Sequence, residues 1–191
     1  MGRTDGDILT ERLALRLMTP AFLDASLREG TRHGAERLLG ISIPDEWFAE
    51  ADLARLRSDD LRADPAYQPW SLRAMAERAT RRMVGHIGFH SRPAPAYLGP
   101  WAPEGIEIGF AVYPHFRRLG YAREAIRGIV RRAYGTVGVP QIVASIAREN
   151  LASASLAGGL GFVEVGRRED EVDCEEIVWV LEGEPLRALL P

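Results

Sequence analysis

The sequence predicts a single α/β domain covering residues 1–191, and three observations point to that class. Short runs with the two-residue apolar alternation of half-buried strands recur along the chain. Between them lie stretches bounded by helix start and stop residues. One run, QIVASIA at residues 141–147, is apolar almost throughout, as a strand covered on both faces must be. With 191 residues, 46% of them apolar and 27% charged, the chain can bury one core of ordinary size.

In chain order, ILTERLALRLMT (8–19) alternates as one strand. A helix follows, with Thr19 as N-cap, Pro20 at its first position and Gly30 beyond its end. A short helix is expected near 35–39 and a longer one within 46–63. PWSLRAMAE (69–77) and RRMVGHIGFHS (81–91) flank the polar turn ERAT as an antiparallel hairpin. The Pro/Gly-rich loop 92–105 then leads to the strand GIEIGFAVY (105–113), and long loops of this kind are often functional. A helix follows through about Tyr134, stopped by YGTVGVP. After strand 141–147, a short helix runs from Asn150 until its glycines stop it. FVEVGRR and EEIVWVLE close the chain as a second hairpin around EDEVDC. There is no internal repeat and no linker.

Composition removes several classes of function. The net charge of −3 offers no general attraction to nucleic acid or anionic membrane. No run of about 18 apolar residues occurs and the first residues hold no apolar leader core, so a cytoplasmic protein without a membrane span is expected. All 24 basic residues are arginine, which removes Schiff-base and Walker-lysine chemistry. Cys174 is the single cysteine, so no internal disulfide and no metal site are expected. Its acidic surroundings disfavour a thiolate nucleophile.

PHFRRLGYAREAI (114–126) poses a physical question. It reads as a helix start with no obvious side-chain cap, flanked by arginines. Small residues at Gly120 and Ala122 let backbone amides approach a ligand, and amides at a helix N-terminus suit phosphate. Arg117, Arg118 and Arg123 can add charge-assisted hydrogen bonds. A bound pyrophosphate would answer the question; a plain strand–turn–helix with solvated arginines is the alternative. The stretch is neither a Walker loop nor the dinucleotide fingerprint.

With its downstream segments, this region resembles the GNAT superfamily of N-acetyltransferases. Arg117-x-x-Gly120-x-Ala122 is similar to that family's Arg/Gln-x-x-Gly-x-Gly/Ala acyl-CoA loop, and EIGFAVYPHFRRLGYAREAI to its fourth strand and following helix. NLASASLAGGLGF is similar to its Asn-x-x-Ser followed by Leu-Gly-Phe. The likeness is densest from Met83 to Phe162 and is closest to the branch that acetylates N-terminal amines of ribosomal proteins. It implies a mixed, mostly antiparallel sheet flanked by helices, whose strands four and five run parallel and splay apart to admit pantetheine. It also implies acetyl-CoA as co-substrate. Phe110, Ala111 and Val112 would pair with pantetheine and the thioester carbonyl. The loop Arg117, Arg118, Leu119, Gly120, Tyr121, Ala122 and Arg123 would hold the pyrophosphate, and Asn150 the pantetheine arm.

The resemblance implies direct attack of a neutral amine on the thioester. Something must then take the amine's proton. Glu107, a charge on an apolar strand, is the first candidate, since burying it is costly unless it is paired or used. A strand-entry glutamate paired with an arginine at the surface is its structural alternative, and His86 and His90 are rival bases. The tyrosine that many relatives use to protonate the thiolate corresponds to Ala157, which leaves Ser153 or solvent. Loop 92–105 and helices 31–68 are expected to face the acceptor. Trp47 and Trp70 are expected in the core, and Trp101 at a pocket wall or subunit contact. The predicted function is transfer of acetyl to a primary amine, on a protein N-terminus or a small molecule. The rival is a non-catalytic acyl-CoA sensor. A homodimer, with Trp179 at its interface, stays open.

Overall fold

The computed structural model describes residues 6–28, 30–170 and 174–190. The chain forms two compact units. Met1–Gly88 with Phe110–Gly128 make one, and Phe89–Gly109 with Ile129–Pro191 make the other.

In the first unit β1 (Ile8–Leu9), β2 (Leu13–Leu17), β3 (Arg73–Glu77) and β4 (Arg82–Phe89) pair antiparallel in sequence order. The alternation read as one strand over 8–19 is thus broken into a hairpin at Thr10. The Thr10 hydroxyl accepts from Leu13 N, and Thr10 N donates to Leu13 O, closing the turn. Thr10, Glu11 and Arg12 are three polar residues in a row, so the alternation lapses at the turn and the single-strand reading passes over it. α1 (Pro20–Ser26) starts as expected, with Thr19 Oγ1 accepting from Phe22 N. α2 (Arg32–Leu39), α3 (Asp45–Ala49) and α4 (Ala51–Ala63) follow; the single helix expected within 46–63 is therefore two, divided at Glu50. Their apolar faces build a core around Phe22, Trp47, Leu61 and Met83, with Trp70 packed against it. Trp47 stacks on Phe22, and its indole N–H is satisfied by Ser26 Oγ at 2.9 Å.

β5 (Ile106–Val112) is shared, Ile106–Gly109 in the second unit and Phe110–Val112 in the first. α5 (Tyr121–Val137) runs three residues past the expected end at Tyr134, because Gly135 is tolerated inside it and the chain turns left-handed only at Gly138.

In the second unit β5 lies parallel to β6 (Gln141–Ala147), and β8 (Cys174–Glu182) runs antiparallel between β6 and β7 (Val163–Asp170). α6 (Leu151–Gly158) joins β6 to β7, and a helix not read from the sequence, α7 (Gly183–Arg187), ends the described chain. The tip of the last hairpin, 171–173, and the side chain of Cys174 lie outside the described residues. Leu98, Ala102, Val143, Val178 and Val180 form a core cluster, and Trp101 packs on it rather than standing free. The architecture is the predicted α/β class: a mixed, mostly antiparallel sheet with β5–β6 parallel, flanked by helices.

A close approach fixes how β5 faces β4. A Cβ on Gly85 would sit 2.1 Å from the carbonyl oxygen of Ala111. Gly85→Ala must therefore push two backbones apart, and a loss of about 1–3 kcal/mol in denaturant-unfolding stability is expected.

Candidate active site

The entry to α5 carries the residues expected to hold pyrophosphate. Arg118 and Gly120 both take positive φ, 63° and 83°. Glycine accepts that conformation freely, whereas Arg118 is strained in it. Positive-φ residues of this kind let neighbouring amides converge on an anion, and the first four N–H groups of a helix lack intrahelical acceptors. Arg117 through Gly120 are exposed, while Ala122 and Arg123 are half-buried. Tyr121 is buried: its phenol donates to Glu77, and the Arg12 guanidinium lies 4.7 Å over its ring. Its side chain is therefore spent on the core, and only its backbone can serve a ligand. Behind this entry, Glu124 accepts from Thr10 Oγ1 (2.5 Å), Arg12 N (2.7 Å), Arg12 Nε (2.7 Å) and Leu13 N (3.2 Å). Burial raises its proton affinity, but these donors outweigh that and hold the carboxylate below its usual range.

The three β5 residues expected to pair with pantetheine do not face one way. Strand residues alternate the side to which they aim N–H and C=O. Ala111 O lies against Gly85, and Tyr113 N donates to Val84 O, so 111 and 113 face β4. Ala111 therefore cannot offer its backbone groups on the same side as Phe110 and Val112, which corrects the expectation of three consecutive partners. Val112 O accepts from Arg117 Nε at 2.9 Å. Phe110 N–H and C=O and Val112 N–H are the groups aimed away from β4. This end of β5 is also half-buried where Ile106–Ile108 are buried. Within the second unit, the recorded β5–β6 register covers Ile106 and Glu107 only.

Glu107 stands at the centre of the second unit's polar cluster, with its side chain 1% exposed. Arg168, from β7, forks onto it: Nη2 is 2.9 Å from Oε1, and Nη1 donates to Oε2 at 3.3 Å. Arg168 is held in turn by Glu176 of β8, its register partner, through an Nε–Oε2 bond of 2.8 Å. His90 Nδ1 lies 3.5 Å from Glu107 Oε2, and His90 N donates to Glu107 O at 2.9 Å. A Cβ on Gly109 would meet His90 Nε2 at 2.3 Å, so this glycine makes room for the imidazole over β5. Burial pushes the Glu107 carboxyl up, but hydrogen bonding and charge from His90, with help from Ser145 and Arg168, outweigh it and hold the group at about 2. Tyr97, in the turn Ala96–Leu98, carries Arg168 over its ring at 6.0 Å. Burial and the Glu107 charge push its phenol up to about 12.

The other sequence candidates are placed differently. His86 is buried in the first unit, its Nε2 2.6 Å from Glu50 Oε2 and its ring edge-on to Trp47 and Tyr113. Asn150 caps α6, with Oδ1 accepting from Ser153 N at 3.1 Å. Ser153 itself is half-buried on the first turn of α6, and Ala157 is buried. Sequence reasoning missed Arg168, Glu176 and Tyr97. The alternation of GRRED opposite EEIVW holds the signal: a buried Glu107 needs a cation, and Arg168 is on offer there.

Comparison with known proteins bears on the fold and the family. The family model described as acetyltransferase (GNAT) domain matches residues 12–163. The uncharacterized N-acetyltransferase YoaA of Bacillus subtilis (strain 168) is 30% identical over 89 residues, 47% of this chain and 46% of that protein. The chain therefore spans about half the length of that relative. The uncharacterized N-acetyltransferase YjdG of the same organism is 28% identical over 160 residues, 81% of this chain and 88% of that one. The ribosomal-protein-S5-alanine acetyltransferase from Vibrio fischeri shares the fold, with a TM-score of 0.61 at 14% identity, over 93% of this chain and 97% of that one. Both Bacillus subtilis relatives are themselves named N-acetyltransferases.

The Glu107 cluster has a consequence for acid stability. Its folded value of about 2 lies below the ordinary 4.5, so its stabilising contribution is complete above 4.5 and is lost as pH falls toward 2. Glu107→Gln is expected to be less stable at neutral pH. It should also lose less on acidification to about pH 3, by on the order of 2 kcal/mol, in denaturant titrations at each pH.

Proposed function

The chain belongs to the GNAT acetyltransferase family, and on that premise we propose that it moves an acetyl group from acetyl-CoA directly to a primary amine, of a protein N-terminus or a small molecule. The observation that carries the reading is the α5 entry, where Arg118 and Gly120 turn left-handed before an exposed helix start flanked by arginines. There the amides of 119–123 and the side chains of Arg117, Arg118 and Arg123 hold the pyrophosphate. Phe110 and Val112 hydrogen-bond the pantetheine arm. An amide aimed at the thioester oxygen also stabilises the oxyanion that develops there.

The ammonium gives one proton to solvent to become neutral, and its nitrogen then attacks the thioester carbon. The C–N bond forms, and the C–S bond breaks with its electron pair left on sulfur. The second amine proton passes to His90 Nε2 and from there to solvent. The thiolate takes a proton from water, directly or relayed through the Ser153 hydroxyl, which water re-protonates. His90 rather than Glu107 is the acceptor, because a carboxylate held at about 2 has little affinity for an ammonium proton. Glu107 instead accepts from His90 Nδ1–H and leaves Nε2 free to act as base. This keeps the carboxylate in the machinery while changing its role. An N-terminal amine is the acceptor to test first, on the resemblance of the sequence to the ribosomal-protein branch.

Incubation with acetyl-CoA and a panel of short peptides and small amines, following thiol release, tests the reading. His90→Gln is expected to lower kcat about 100-fold while leaving acetyl-CoA affinity within about twofold. Peptide-dependent turnover assigns an N-terminal acceptor, and turnover on small amines alone assigns the other class. Failure to bind acetyl-CoA overturns the proposal.

A further inference from the structure

The second unit holds a charge chain that direct acetyl transfer does not by itself require. It runs from Glu176 on β8 through Arg168 on β7 to Glu107 on β5 and ends at His90. Two features separate it from an ordinary surface pair. Glu107 is enclosed, and Arg168 is mostly covered, so water screens their interaction weakly. His90 is the most open member, with its side chain 39% exposed, so the chain leads from the interior to a group a substrate can reach.

The two oxygens of Glu107 are used unequally. Oε1 faces Arg168 Nη2 at 2.9 Å, while Oε2 is shared between Arg168 Nη1 at 3.3 Å and His90 Nδ1 at 3.5 Å. The guanidinium thus draws on the same oxygen that would polarise the imidazole. The Nη1–Oε2 hydrogen bond and the Oε1–Nη2 charge contact together bear on the carboxylate's rotation more than a single ammonium would. The 3.5 Å contact to His90 is loose, as contacts of catalytic groups often are before substrate arrives.

Building on the acetyl-transfer reading above, we propose that Arg168 is a positioning residue: paired with Glu107 and anchored by Glu176, it orients the carboxylate beside His90 Nδ1 and sets its own charge against the carboxylate's where the imidazole meets the acceptor. Four charged or titratable groups bear on His90 in this cluster. They are Glu107 from β5, Arg168 from β7, Glu176 behind Arg168 from β8, and Tyr97 from the turn Ala96–Leu98; Arg92 follows two residues along its own segment. Glu107 and Arg168 carry opposite charges toward the imidazole. Their removal therefore has opposite signs, which loss of packing alone would not produce.

Proton NMR titration of the imidazole in the ligand-free protein reads this directly. The chain has four histidines, and His90→Gln assigns the resonance. In Arg168→Met the His90 midpoint is expected to rise by about half to one pH unit, and in Glu107→Gln to fall by a similar amount. Arg168→Lys keeps the charge without the fork; its expected rise is smaller, and it serves alone should Arg168→Met fail to fold. The acid limb of kcat/KM against pH is expected to move the same way in each variant, with acetyl-CoA affinity within about twofold of the parent. A midpoint that stays or falls in both Arg168 variants overturns the assignment. The titration needs neither acetyl-CoA nor an acceptor, so its failure is separate from failure of the acetyl-transfer reading.

Discussion

A carboxylate enters a protein interior only where an opposite charge meets it. Glu107 imposes that constraint here, because it sits on β5 between the buried residues Ile106 and Ile108. Its counter-charge comes from 61 residues further along, in Arg168. That arginine must lie where β7 can present it, and β7 is an edge strand reached only by pairing with β8. The register that opposes Arg168 and Glu176 is thus also the register that completes the Glu107 cluster. Removing the arginine alone would leave a buried charge unmatched, at a cost of about 3–5 kcal/mol.

The first unit solves a related problem at the start of α5. A helix that keeps its first amides for an anion must be fastened to the fold by other groups. Glu124 does this, gathering Thr10, Arg12 and Leu13 onto one carboxylate and tying the β1–β2 turn to the first turn of the helix. Arg12 adds a second tie, donating to Leu119 O at 2.9 Å and covering the Tyr121 ring. The negative charge that the helix dipole favours is thereby on the inner face. The outer face keeps Arg117 and Arg118 exposed.

The elements legible in the sequence are those whose pattern is local. Thr19-Pro20 marks a helix start because cap and ring act within one turn, and QIVASIA marks a buried strand because every residue reports its own surroundings. The hairpin at Thr10 escaped because its break is only three polar residues, Thr10-Glu11-Arg12, too short to stand out from an alternating strand. α7 escaped because five residues are too few for a helical period to emerge. Among site residues, Glu107 was legible as a misplaced charge, but its partners were not. The alternation of β7 offers Arg168 as a cation, but tertiary packing alone brings it and Tyr97 to Glu107. Ala111 was misjudged for another reason. A stretch of three residues was read as one ligand-facing edge, whereas a strand aims alternate residues to opposite sides.

The depressed carboxylate also bears on the choice of base. Proton transfer is most effective when the acceptor's affinity is near the working pH, because a weaker base has little driving force and a stronger one arrives already protonated. Glu107 fails the first condition because it is so well paired, and it cannot escape that pairing while Arg168 stays in place. Under the proposed reading the imidazole in contact with that carboxylate takes this part. The contact also selects the tautomer, since Nδ1 must carry the proton that Glu107 accepts and Nε2 is left with its lone pair. The departing thiolate makes a smaller demand. A coenzyme thiol is acidic enough to leave without prior protonation, so the buried Ala157 at the position many relatives give to tyrosine does not stop the reaction. What the proposed chemistry needs from the protein is a proton acceptor on the amine side, and in that proposal the requirement falls on His90.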